Sequence, residues 1–380
     1  MRVLILSCNT GEGHNSCSAA IQECFEAQGV HCEVADALRF ISKGASELFA
    51  RAHVAMYRHF PALFRYSYSF LEKHPGAFRK KSPIHRFFSV GTRRLGDHIR
   101  AGGFDAVICT HVFSAMILTE TLRRHPLPVR TAFVATDYTC SPSMDQSDLE
   151  RYFIPDQSLA REFLVGGIRP EQLVASGIPV RSEFYRCSDR ETAGAAFGIP
   201  EGHRHMMMMC GSMGCGPMKQ LTKLLAQKLT PQQHLSVLCG TNKRLFRQMK
   251  RRYADHQNIH VYDYVPDISL LMDSVDLYLT KPGGLSTTEA AVKCLPMVMI
   301  DAVAGCEAHN RRYFLNTGLG VTADSPKELA EVCAELLSHP ERIRALRAAG
   351  EKHRPGVAAE RICEELIDLC GDGTNPGRSA

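Results

Sequence analysis

The sequence predicts an α/β protein made of two doubly wound parallel sheets, and three observations carry that expectation. Short apolar runs recur along the chain, and many end in a glycine or polar turn that opens a helix. The pattern begins at residues 2–7 (RVLILS) and restarts at residues 205–210 (HMMMMC), after a linker near residues 182–189. The chain has 380 residues, about the length of two ordinary domains. Strand–helix–strand units of this kind cross over right-handed and build parallel sheets, whose doubly buried strands read as unbroken apolar runs.

Residues 2–7 are the first strand. The turn from Asn9 to His14 opens a helix over about residues 15–28, whose Cys17, Ser18, Ala19 and Ala20 are small enough for close packing on a sheet. Gly29 ends that helix with a left-handed cap, and residues 31–36 form the second strand. The turn Gly11-Glu12-Gly13-His14 is not the GxGxxG of dinucleotide enzymes, so NAD binding gets little support. His14 falls at the carboxyl edge of the first strand, where open α/β sheets keep their ligands, although a helix cap or surface histidine is the plainer alternative. Residues 104–110 and 129–136 are further buried strands, ending in Thr110-His111 and Thr136-Asp137. Asp137 orients His14, acts as a base itself, or caps the following turn. Residues 151–155 and 173–176 complete the first sheet.

The second half repeats the plan. Residues 205–210 are a strand whose methionines suit pliable core packing rather than a ligand box. Gly211 to Gly216 form a glycine-rich turn before a helix over about residues 218–229, where backbone N–H groups and Ser212 suit a pyrophosphate. Later strands fall at residues 235–239, 259–264, 275–279 and 296–300. Residues 1–182 and 183–355 are thus the two expected domains, with a helix over residues 356–370 returning to the first and a disordered tail over 371–380.

The stretch Leu279 to Asn310 carries the densest chemistry. Pro282, Gly283 and Gly284 turn tightly and let a ligand approach without a Cβ in the way. Ser286, Thr287 and Thr288 are cap candidates for the next helix, whose free N–H groups favour an anion. Glu289, at a strand's carboxyl end, is placed to grip a ribose diol, with an ordinary strand–helix turn and a solvated carboxylate as the plainer alternative. A second loop delivers Glu307 and Asn310, acceptors for sugar hydroxyls, to the same edge.

This stretch resembles the donor-sugar motif of the glycosyltransferases that include monogalactosyldiacylglycerol synthases and bacterial diacylglycerol glucosyltransferases, with the peptidoglycan N-acetylglucosaminyltransferase a more distant relative. Gly11-Glu12-Gly13-His14, Gly177-Ile178-Pro179-Val180-Arg181 and Gly211-Ser212-Met213-Gly214 agree in order and spacing, so the likeness spans nearly the whole chain. It implies the GT-B fold, two Rossmann-like domains facing across a cleft. It gives His14, in its turn with Gly13, the role of base or acceptor-orienting residue. It also implies that main-chain groups near Val265, in Tyr264-Val265-Pro266-Asp267, hold the nucleotide base. After Asp137 the chain reads Tyr138-Thr139-Cys140-Ser141-Pro142, where family members often have histidine or tryptophan, so the acceptor side departs from the pattern.

Composition limits the remaining choices. The 44% hydrophobic and 22% charged content is that of an ordinary soluble globular protein, and no apolar run approaches the ~20 residues that cross a bilayer. Fifteen cysteines, none spaced CxxC, fit reduced thiols in a cytosolic protein better than disulfides or zinc. The net charge of +5 is concentrated. Residues 51–94 hold ten Lys or Arg, one acidic residue (Glu72) and nine aromatics, interrupted by Pro61, Pro75 and Pro83. Short amphipathic helices in an anionic lipid interface fit that pattern better than an RNA platform, and core helices with solvated basic faces are the alternative. The expected membrane and acceptor residues are Arg58, Phe60, Phe64, Arg65, Arg79, Lys80, Lys81, Phe87 and Phe88. Residues 59–64 also resemble the family's acceptor-side insertion.

The expected reaction is inverting transfer of glucose or galactose from a UDP-hexose to the hydroxyl of diacylglycerol. His14, or Asp137, is the base. Gly211, Ser212 and Arg181 take the charge of departing UDP, with an interdomain ion pair as the alternative for Arg181. Glu289 holds the ribose, and Glu307 and Asn310 hold the hexose. The chain contains no DxD triplet, so no metal or other cofactor is expected. The expected setting is the cytoplasmic face of the cell membrane, peripherally attached and without nucleic acid. Alternatives are a peptidoglycan-type N-acetylglucosaminyltransferase on a lipid-linked acceptor, a UDP-N-acetylglucosamine epimerase or hydrolase, and a non-catalytic nucleotide-sugar sensor.

Overall fold

The computed structural model describes residues 1–8, 11–42, 44, 46–48, 51–52, 55, 66, 82–300 and 305–371. The chain divides into two compact units: Met1–Ser182 with Val303–Cys306 and Gly356–Ala380, and Glu183–Ala302 with Glu307–Pro355.

The first unit holds six strands: β1 (Arg2–Ser7), β2 (His31–Asp36), β3 (Ala106–Cys109), β4 (Arg130–Val134), β5 (Arg151–Ile154) and β6 (Leu173–Ala175). They form one parallel sheet in the order β2-β1-β3-β4-β5-β6. Every residue of β3 and β4 is buried, as a strand covered by helices on both faces requires. Helix α1 (Glu12–Ala27) connects β1 to β2 and buries Cys17, Ser18, Ala20, Ile21 and Phe25. It begins three residues before the expected start, because extended Gly11 is its N-cap and Glu12 already occupies the first turn. A carboxylate there suits the positive end of the helix dipole. His14 therefore sits in a helical first turn, not in a loose glycine loop.

Helix α2 (Pro83–Ser89) and helix α3 (Val112–Arg124) follow in chain order. Here one expectation fails. Phe88 is buried in the core, its ring 5.0 Å from that of Phe113, and half-buried Phe87 packs against the same cluster. Burial in the core keeps Phe88 from facing lipid, whereas Phe87 is only half-buried. Arg58, Phe60, Phe64, Arg65, Arg79, Lys80 and Lys81 lie outside the described residues.

The second unit repeats the design with β7 (Arg204–Met209), β8 (Gln233–Leu238), β9 (Ile259–Tyr262), β10 (Leu277–Thr280), β11 (Met297–Met299) and β12 (Gly320–Thr322). Its parallel order is β12-β11-β10-β7-β8-β9. Met206, Met207 and Met208 are fully buried, as pliable core. Helices α4 (Met218–Ala226) and α5 (Lys243–Arg252) are the crossovers from β7 to β8 and from β8 to β9. Helix α6 (Gly284–Val292) follows β10, and α7 (Gly305–Asn316) follows β11.

Helix α8 (Ala358–Gly371) belongs to the first unit. Ile362, Cys363 and Leu366 join the core cluster that contains Cys17, Ile21 and Phe25 of α1. Arg151 of β5 pairs with Glu365 at 2.9 Å. Gly177 has φ +92, and a Cβ built on it would stand 3.3 Å from Cβ of Ala358, so the start of the GIPVR segment is fitted against this helix. Among the described residues no helix is long and apolar enough to cross a membrane.

Candidate functional site

Both sheets reverse strand order once, and open α/β sheets bind ligands outside the carboxyl ends of the strands at such a point. In the first sheet the reversal lies between β1 and β3, in the second between β7 and β10. The chemistry-bearing side chains of each unit meet there.

At the first reversal, His14 in the first turn of α1 meets Thr110, just past β3. Nδ1 of His14 lies 2.8 Å from the Thr110 carbonyl and 3.2 Å from the Thr136 hydroxyl. A carbonyl can only accept, so neutral His14 carries its proton on Nδ1 and its lone pair on Nε2. Ser18 stiffens the corner: its hydroxyl donates to the His14 carbonyl at 2.9 Å and lies 3.0 Å from that of Thr110. Fixing one ring nitrogen by a carbonyl orients the other as a base. Asp137 follows Thr136 beyond β4 and is half-buried. Gly13, one residue before His14, is half-buried inside the helix.

His111 was noted from the sequence only as a polar strand end. Its Nδ1 accepts the Phe113 N–H at 3.0 Å, capping α3, so its neutral ring carries the proton on Nε2. The His14 and His111 rings meet edge to face with centroids 4.6 Å apart. Two neighbouring histidines are thus held in opposite tautomers, one with Nε2 as acceptor and one with Nε2–H as donor. A buried strand ending in Thr-His was the available signal, but only strand order shows that it adjoins His14. Arg181 is half-buried, immediately after buried Val180 and still within the first unit.

At the second reversal, the turn after β7 meets Lys281, just past β10. Gly211 has φ +67, and a Cβ on it would lie 2.6 Å from Cε of Lys281. The lysine stem therefore runs across the bare Cα of Gly211. Its Nζ reaches Oε1 of Glu307 at 2.8 Å, with side chains 19% and 8% exposed. The turn is braced below: Gly214 and Gly240, both at positive φ, approach the Cys239 and Ser212 carbonyls too closely for any Cβ. The Ser212 carbonyl accepts the Thr241 N–H at 2.8 Å, while residue Ser212 is exposed.

The cap expected of Ser286, Thr287 or Thr288 is not what forms. Helix α6 starts at Gly284 with Gly283 as N-cap and no side-chain cap. The Pro-Gly-Gly turn closes early and draws these residues into the helix, where Thr287 and Thr288 donate to the carbonyls of Gly283 and Gly284 at 2.8 and 2.7 Å. The first-turn N–H groups of α6 thus have no capping side chain, as at other helix ends that bind phosphate. Glu289 is buried in the second turn of α6. Asn310 is fully buried, and its Nδ2 donates to the Pro282 carbonyl at 3.0 Å, tying α7 to the same turn. Val265 is buried just past β9, beyond Asp263, which pairs with Lys243 at 2.9 Å.

Lys281 is the residue that sequence reasoning missed. It stands directly before Pro-Gly-Gly, yet nothing in its spacing says that the side chain turns towards Gly211 and Glu307. Together the second edge offers amide N–H groups, an ammonium, and carboxylates at Glu289 and Glu307, a set that suits a sugar diphosphate.

Comparison with known proteins agrees with this geometry. The family description "Monogalactosyldiacylglycerol (MGDG) synthase" matches residues 14–180, and "Glycosyltransferase family 28 C-terminal domain" matches residues 205–362. A processive diacylglycerol beta-glucosyltransferase of Staphylococcus epidermidis is 25% identical over 274 residues, covering 72% of this chain and 69% of that protein. Among solved structures, MurG of Acinetobacter baumannii is similar with a TM-score of 0.66 at 12% identity, over 97% of this chain and 99% of that one. A UDP-GlcNAc 2-epimerase from Neisseria meningitidis bound to UDP-GlcNAc gives 0.63 at 12% identity, over 97% and 100%. At such identities the likeness speaks for the fold alone, which is GT-B.

Proposed function

Because the chain belongs to the monogalactosyldiacylglycerol synthase family of glycolipid-forming GT-B glycosyltransferases, we propose that it moves a hexose from a UDP-sugar to the hydroxyl of diacylglycerol. The observation that supports this most is Lys281, laid across Gly211 and paired with Glu307 beside the uncapped start of α6.

In this reading the second unit binds the nucleotide. The amides after Gly211 and at the start of α6 accept the diphosphate, Lys281 supplies the nearby positive charge, and Ser212 adds a hydroxyl. Arg181 of the first unit adds a second cation. Glu289 holds the ribose diol, main-chain groups near Val265 hold the base, and Glu307 faces the hexose hydroxyls. Asn310, with Glu307, is assigned to the hexose side of the site and fixes the Pro-Gly-Gly turn through the Pro282 carbonyl. The first unit supplies the base. Nε2 of His14 takes the acceptor proton as the hydroxyl oxygen attacks the anomeric carbon. The bond to UDP breaks on the opposite face, the electron pair leaves with the diphosphate, and configuration inverts. The Thr110 carbonyl stabilises the imidazolium through Nδ1–H. Such base assistance contributes about 10² to 10⁴ in rate. Asp137, close by in sequence to Thr136, is the alternative base.

No metal is required, since lysine, arginine and helix N-termini provide the positive charge, and turnover is expected to survive EDTA. The acceptor lies in a bilayer, so the enzyme works peripherally at the inner face of the cell membrane, assisted by the basic aromatic segment within residues 51–94. The relative's name favours glucose over galactose.

The test is incubation with labelled UDP-glucose or UDP-galactose and vesicles containing diacylglycerol, followed by organic extraction and mass spectrometry. A labelled glycolipid is expected. Label confined to the aqueous phase would refute lipid transfer and favour an epimerase or hydrolase.

A further inference from the structure

The second unit carries a cationic face that the reaction does not use. Between residues 211 and 262 there are nine Lys or Arg and one acidic residue, Asp255. All nine basic residues are exposed. Six lie on α5, and three lie on or just past α4. Strands β7, β8 and β9 are consecutive neighbours, so their two right-handed crossover helices lie on the same side of the sheet. Leu221 and Leu225 of α4 and Leu245 and Met249 of α5 accordingly enter one core cluster. The basic residues occupy the outward sides of two helices on one layer.

These charges are not absorbed by the protein. Lys243 pairs with Asp263 at 2.9 Å, and Arg252 lies over the Tyr253 ring at 5.8 Å. None of the other seven forms an ion pair among the described residues. By contrast, some cations elsewhere in the same unit are matched: Arg190 and Arg204 share Asp276, and Lys293 pairs with Asp273. A merely solvated face ordinarily mixes both signs, whereas a single-sign field suits a polyanionic partner. The three aromatics of this stretch, Phe246, Tyr253 and Tyr262, are buried or half-buried, so the face lacks the exposed stacking platform of a single-strand nucleic-acid site.

We infer that the outward face of α4 and α5 is a docking surface for an anionic lipid bilayer, separate from the basic aromatic segment of the first unit. This rests on the reading that the acceptor is a membrane lipid. Binding is electrostatic: the ammonium and guanidinium groups meet lipid phosphates, and no apolar side chain of the face need insert. Near an anionic surface each such group strengthens partitioning about fivefold.

The test uses the full chain and sedimentation with vesicles of phosphatidylcholine alone or with phosphatidylglycerol. The variant Arg247→Glu/Lys250→Glu/Arg251→Glu is expected to lose at least about tenfold in partitioning onto the anionic vesicles. Binding to neutral vesicles, UDP binding and turnover in neutral detergent micelles should stay unchanged. The milder variant, Gln at the same three positions, should fall between. Unchanged partitioning of both variants overturns the inference, as does displacement of wild-type protein from the vesicles by RNA at equal phosphate and salt through these same three residues. If micelles yield no glycolipid, the transfer reading fails, while the sedimentation result still decides this surface.

Discussion

Replacing Lys281 with methionine separates its two consequences. Methionine keeps most of the stem that crosses Gly211 but removes the ammonium 2.8 Å from Glu307. Breaking a buried ion pair from one side costs about 3–5 kcal/mol, because the remaining charge is left in a poorly solvating site. Lys281 is 19% exposed, so solvent screening brings the expected loss of stability to the bottom of that range or just below, roughly 2–3 kcal/mol. Changing Glu307 to Gln in addition removes the stranded charge, so the double variant should recover most of that loss. Function should not recover. A charge-assisted hydrogen bond to phosphate contributes about 1.5–3 kcal/mol, so UDP affinity should fall about 10- to 100-fold in both variants. Urea unfolding reads the first effect and calorimetric titration with UDP the second. Wild-type UDP affinity in the stable double variant would refute Lys281 as a diphosphate ligand and leave it a structural partner of Glu307.

Three further outcomes follow from the same geometry. His14→Gln should lower turnover about 10²- to 10⁴-fold with UDP affinity unchanged, and equal losses in both would place His14 in nucleotide binding instead. Gly211→Ala meets φ +67 and a clash with Lys281 Cε, whereas Gly216→Ala meets φ +91 in open space. Both should lose roughly 1–2 kcal/mol of stability, but only the first should also weaken UDP binding, measured by the same titration. Finally, burial lowers the pKa of His205 to about 3, between the Ser236 and Ser274 hydroxyls, and that of His234 to about 4. Both rings are neutral in the folded state. Below the unfolded value near 6.5 the unfolded chain binds protons first, so stability falls as pH drops, by up to about 1.4 kcal/mol per unit for each histidine. His205→Asn should flatten the dependence of urea unfolding between about pH 6.5 and 5, and an unaltered slope would contradict this.

Strand positions were readable because buried parallel strands are continuous apolar runs. Residues 2–7 and 31–36 match β1 and β2 as expected, and the other expected strands differ by a few residues at their ends, whereas the three-residue β12 (Gly320–Thr322) was not foreseen. Pro282, Gly283 and Gly284 were legible as a tight turn before a helix because glycine and proline state their backbone geometry locally. The start of α1 and the cap of α6 were misjudged because a helix begins where the backbone first satisfies its bonds. Glycine can serve as N-cap as well as serine or threonine. Phe88 was misassigned for another reason: an aromatic beside basic residues reads alike in a core helix and a lipid-facing one until the helix has a neighbour.

By itself the sequence determined two repeats of strand, turn and helix, and the residue types that stand at each strand's carboxyl end, since both depend on short-range backbone preference and burial. Which ends become neighbours was settled only by the order of strands within each sheet. That order sets Thr110 against His14 and so chooses the histidine's tautomer. It also lays Lys281 over Gly211 with its charge on Glu307. Hydrogen bonds and ion pairs act over a few ångströms of space, whatever their separation along the chain.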